Sequence, residues 1–126
     1  MNYANKAVKQ NSEVLTITGS NVGIGTVSPG YQLTVAGASN PAGISIQSSS
    51  NNAGLDLTST QVGGREFIVG SAGGSSGIAP SSFFIYDSTA STSRMVINSL
   101  GNVGIGTTSP GVKLDVNGNV NISGNL

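Results

Sequence analysis

Cysteine, histidine and tryptophan are all missing from the 126 residues, and charge is sparse: five Lys+Arg against five Asp+Glu, 8% of the chain. Without His and Cys there is no Cys/His zinc site, no haem attachment, no thiol nucleophile and no Ser-His-Asp triad. Catalysis would rest on five scattered carboxylates. A formal net charge of zero supplies no basic field for phosphates, so nucleic acid is not an expected partner. No apolar run approaches the ~18 residues of a membrane helix, and residues 1–10 lack the apolar centre of a signal peptide. Membrane insertion is therefore not expected. Absence of cysteine removes a disulfide framework and leaves the compartment open.

The residues that are present read as folded β structure. Leu, Ile, Val and Phe make up about a quarter of the chain, above the level expected of disorder. Val and Ile together outnumber Leu by 22 to 7, and branched Cβ atoms suit a pleated surface. Gly, Ser, Asn and Thr supply about half the chain, as turn formers and small strand residues. With aromatics at 5%, one chain has little apolar area, so association with identical chains is the expected way to complete a core.

An internal repeat organises the sequence. Residues 21–37 (NVGIGTVSPGYQLTVAG) and 102–118 (NVGIGTTSPGVKLDVNG) align without gaps and are identical at 12 of 17 positions. Their separation of 81 residues exceeds a solenoid period of ~20–50 residues, so they read as two connectors flanking an intervening domain. In each connector, Val22 and Ile24, or Val103 and Ile105, share one side of an extended strand. Gly23 and Gly25, or Gly104 and Gly106, leave the other side bare, which lets another backbone come close. Ser-Pro-Gly then forces a turn, and Leu33 with Val35, or Leu114 with Val116, resumes the alternation. Each connector is thus a strand-turn-strand unit whose apolar stripe it cannot bury alone.

Between the connectors, residues 43–47, 54–58, 65–69, 83–87 and 94–98 recur as strand-like runs at the spacing of a sandwich or barrel. Residues 71–82, rich in Gly and Ser, read as a long solvated loop, with ligand contact as the alternative. Asp87 and Arg94 should pair across a hairpin mouth. Residues 13–18 and 119–122 alternate as strands should, and residues 2–10 suit a short helical turn or a fraying end. The expected order is a lead-in segment (1–20), a connector (21–37), a β-sandwich-like domain (38–101), a connector (102–118) and the start of a further strand (119–126), in a fragment of a longer fibre.

Candidate sites weigh toward structural roles. The Gly-Ile-Gly of each connector lacks the third glycine of a dinucleotide loop, since Ser28 and Ser109 stand there, and no Lys follows for a P-loop. Asp115, Asn117, Asn119 and Asn121 copy alternate positions of a calcium loop, but Val120 and Leu126 occupy the Gly and Glu positions. Asp56 and Glu66 are the one carboxylate pair suited to neighbouring strands, and both read as outward-facing residues rather than an acid pair. No cofactor, metal or enzymatic activity is expected. For sugar binding, Tyr31, Arg65 and Tyr86 are the candidates, with packing or an interchain salt bridge as the competing role.

The strings GNVGIGTTSPGVKLDVNG (101–118) and FFIYDSTASTSRMVINSLGNVGIGT (83–107) resemble a module of bacteriophage tail fibres and related trimeric surface adhesins, found in some of them ahead of a self-cleaving chaperone domain of the endosialidase type. The resemblance covers both connectors and the second half of the intervening domain, and more loosely residues 44–69. It implies an all-β, elongated, intertwined parallel homotrimer on a virion tail fibre or cell surface, with a wider middle domain. It also implies contact with adjoining fibre or tail proteins and a surface that meets a host receptor or surface polysaccharide. On this reading Val22, Ile24, Val103 and Ile105 meet their symmetry mates near the threefold axis. The alternative is a module that itself recognises a cell-surface glycan. No segment here resembles the chaperone domain.

Overall fold

The computed structural model describes residues 8–10, 13–37 and 44–124, and no helix occurs among them. The protein is all-β, with two mixed sheets in two units, Met1–Ser45 and Ile46–Leu126.

The first unit holds strands β1 (Val8–Gln10), β2 (Glu13–Thr18), β3 (Asn21–Ile24) and β4 (Leu33–Val35), in that spatial order. β1, β2 and β3 pair antiparallel, whereas β3 and β4 run parallel. A two-residue turn joins Thr18 to Asn21, and its first residue, Gly19, has φ 61°, as a hairpin turn matched to strand twist requires. Of residues 2–10, read as a helical turn or fraying end, 8–10 are a strand and 2–7 lie outside the described residues.

The second unit holds β5 (Asn52–Thr58), β6 (Glu66–Ala72), β7 (Phe83–Asp87), β8 (Thr92–Ile97), β9 (Val103–Ile105) and β10 (Leu114–Val116). These form one six-stranded sheet in sequence order, antiparallel throughout except for the parallel β9–β10 pair. A bulge between Ile85 and Tyr86 shifts the β7–β8 register, so Arg94 falls between paired positions.

The sandwich expected for 38–101 is therefore corrected. Its strands form a single sheet that continues directly into the second connector, and no second sheet faces it among the described residues. What covers one face is the segment read as a solvated loop. Residues 71–82 fold back on the sheet: the Ala72 N–H donates to Ser82 O at 2.8 Å and the Ser93 hydroxyl to Ile78 O at 3.1 Å. Ala79 is wholly buried, with Ser76 and Ser82 nearly so. Small residues can lie close against backbone, which is how a Gly/Ser-rich segment serves as a lid over a core. That core joins Ala72, Ala79, Phe84 and Val96, flanked by Ile68, Ile78 and Tyr86.

Two alternating runs have no strand. Residues 44–47 and 119–122 pair with nothing among the described residues. Period-two alternation specifies an extended backbone, but a strand also needs a hydrogen-bonding partner.

Candidate functional site

The duplicated connectors have the same construction down to single hydrogen bonds. Each repeat opens on an asparagine whose side-chain amide donates to a proline carbonyl eight residues on: Asn21 to Pro29 O and Asn102 to Pro110 O, both at 3.2 Å. This clasp folds the Ser-Pro-Gly turn back over the strand. Main-chain bonds then secure the parallel strand, from the Val22 N–H to Gln32 O (2.7 Å) and from the Val103 N–H to Lys113 O (2.9 Å). The Asn clasp was not read from the sequence. Its signal was an asparagine at the same distance from proline in both copies.

The glycines stand where this fold-back needs them. A Cβ at Gly23 would lie 2.6 Å from Thr26 O, and one at Gly104 would lie 2.6 Å from Thr107 O. Gly25 and Gly106 have φ 75° and 67°, and a Cβ on either would press on the backbone after the parallel strand, at Ala36 and Asn117. The close approach that these four glycines allow is thus made by the connector's own backbone.

With the turn over the glycine side, the other side is left open. Register aligns Leu15 with Ile24 and Ile24 with Val35, and likewise Ile17 with Val22 and Val22 with Leu33, in one apolar face. In that face Leu15, Ile17, Ile24 and Leu33 are 40%, 43%, 47% and 56% exposed. The second connector repeats the pattern, aligning Met95 with Ile105 and Val116, and Ile97 with Val103 and Leu114. Ile105 is 39% and Leu114 is 62% exposed. The repeat is consequently three-stranded: β2–β3–β4 and β8–β9–β10, one strand longer than the matching strings.

At one end of the second sheet lies its charged cluster. The Asp87 carboxylate is buried, and its Oδ2 receives Arg94 Nη2 at 2.6 Å, Arg94 Nε at 3.1 Å and Arg65 Nη2 at 3.1 Å. Oδ1 accepts the Ala90 N–H at 3.0 Å. The Arg94 hydrogen bond holds the Asp87 carboxyl below the usual range; burial opposes this, and Ala90 and the Arg65 charge reinforce it. The hairpin pair Asp87–Arg94 expected from the sequence is present, joined by Arg65.

The remaining candidates do not converge. Arg65 is committed to Asp87, while Tyr86 packs on the core beside Ile68 and Ile78, on the opposite sheet face. Tyr31 belongs to the first unit, in the β3–β4 turn, and is 79% exposed. Asp56 and Glu66 lie on paired strands, opposite Ile68 and Thr58 respectively, Asp56 exposed and Glu66 half-buried. Of the calcium-like series, Asp115 accepts the Gly111 N–H at 3.0 Å and Asn117 donates to Gly106 O at 3.3 Å. No group of three or more His, Cys, Asp or Glu is placed to hold a metal among the described residues. No protein-family model matches the chain, and no curated protein matches it.

Proposed function

We propose that this chain is a non-enzymatic structural and adhesive module of an elongated, intertwined homotrimeric fibre, of the phage tail-fibre and surface-adhesin kind. It spaces or presents a host-receptor-binding surface and joins adjoining fibre proteins. The observation that carries the reading is the uncovered apolar face of each connector. Covering the exposed half of a Leu or Ile is worth about 1 kcal/mol, so a face with several such residues favours association strongly. In the trimer Val22, Ile24, Val103 and Ile105 meet their symmetry mates, and three neutral chains pack without charge repulsion.

Light scattering or sedimentation equilibrium of the purified chain tests this reading. A particle of three times the 12.5 kDa chain mass is expected. A monodisperse monomer with a cooperative melt overturns the proposal.

A further inference from the structure

The apolar face of the second connector does not stop at β8. Through the register of β5 to β10 it continues without a break from Leu55 and Leu57, across Phe83, to Ile105 and Leu114. Leu55 is 53%, Leu57 51% and Phe83 42% exposed, much like the connector residues. The one charged side chain in the row is Asp87, at the end of β7, where two arginines hold it. On the opposite face, residues 71–82 cover the centre of the sheet, over Phe84 and Val96.

Three observations identify what occupies the open face. The buried apolar residues described for Ile46–Leu126 are two alanines, one phenylalanine and one valine. So small a core does not offset the ~1–2 kcal/mol per residue that backbone ordering costs, and a cysteine-free chain has no disulfide to help. The occupant must therefore be present whenever the unit is folded. The area is also right: six strands about 4.8 Å apart and about 17 Å long give a face of roughly 500 Å², near the top of the range for patches on monomers. Finally, the face is apolar across most of its width, with charge confined to Asp87 and its two arginines at one end, which is the character of obligate interfaces between identical chains.

We infer that the whole apolar face of the six-stranded sheet, β5 to β7 included, is buried against further copies of this chain, so that the face covered by residues 71–82 points outward. The inference rests on the homotrimer reading and extends it. The middle region is then part of the axial interface, and any receptor surface it presents is confined to the outward face and its loops.

The absence of cysteine permits a direct test with single thiols on the full chain. Leu57 lies in the apolar row; Thr58, its neighbour on β5, points to the other face and is exposed. In the assembled protein, Leu57→Cys should react with a maleimide at least about tenfold more slowly than Thr58→Cys, with the rates converging once denaturant dissociates the chains. Equal rates in an intact oligomer overturn the inference and leave the trimer reading standing. A monomeric parent chain overturns both. Should Leu57→Cys not fold, Leu55→Cys, in the same row, supplies the comparison.

Discussion

The ring of Phe84 lies against Gly70: a Cβ at Gly70 would stand 2.9 Å from Phe84 Cζ and 2.5 Å from Ala53 O. Phe84 is registered between Gly70 on β6 and Val96 on β8, and the bare position lets the ring reach across its neighbour strand. Truncating this wholly buried ring (Phe84→Ala) should cost about 3–5 kcal/mol. Gly70→Val should cost at least ~1–3 kcal/mol by overpacking. Denaturant midpoints at fixed chain concentration measure both, and a neutral Gly70→Val would show that the ring does not need the gap.

Asp87 predicts an acid-side loss of stability. Its folded pKa is depressed, so its contribution is fully present above the unfolded value of ~3.9 and lost as pH falls through the lower folded value. Asp87→Asn should melt below the parent at neutral pH. The gap should narrow only under about pH 4, where the parent's carboxylate protonates too. Thermal melts across pH read this directly, and a gap that is constant down to pH 2 contradicts it.

The two asparagine clasps are not equally redundant. Pro110 O receives Asn98 as well as Asn102, at 3.3 Å and 3.2 Å, whereas Asn21 is the one side-chain donor described for Pro29 O. Asn21→Ala should loosen the first connector by about 1 kcal/mol. Asn102→Ala should leave the Pro110 carbonyl satisfied by Asn98. Hydrogen exchange at Val22 and Val103, the amides that secure each parallel strand, should rise more in Asn21→Ala than in Asn102→Ala.

Thr16 and Val96 are equivalent positions, each paired with the connector glycine, Gly23 or Gly104. Both are buried, and Thr16 Oγ1 has no hydrogen-bond partner among the described residues. Thr16→Val removes a stranded hydroxyl and copies the second unit, so it should stabilise the first by about 1 kcal/mol. A lower melting temperature for this variant would show that the hydroxyl is used.

The connectors were legible because two 17-residue strings with 12 identities expose their own pattern, and alternation marked most of the strands. The third strand of the repeat was not. Leu15–Thr18 and Met95–Asn98 share little beyond alternation, and the turns that follow differ by one residue, so no gapless match reaches them. The parallel pairing was hidden for another reason: periodicity tells which side of a strand is apolar, not which strand lies beside it. Residues 71–82 misled because Ala79, Ser76 and Ser82 are too small to register as core, although their size is what lets them sit on a sheet. Asp87–Arg94 was legible from the hairpin, but Arg65 joins it only because β6 lies beside β7, a pairing that no local composition announces.

The parallel step at the end of each sheet has a consequence of parity. Four or six strands joined only by hairpins would return the chain to the end of the sheet at which it arrived. One parallel connection, β3 to β4 in the first sheet and β9 to β10 in the second, adds a stroke in the same direction. Each sheet, taken alone, therefore hands the chain on at the end opposite to the one that received it. Such a sheet can be threaded in series like a bead, and gaining or losing a single strand would turn the thread back on itself.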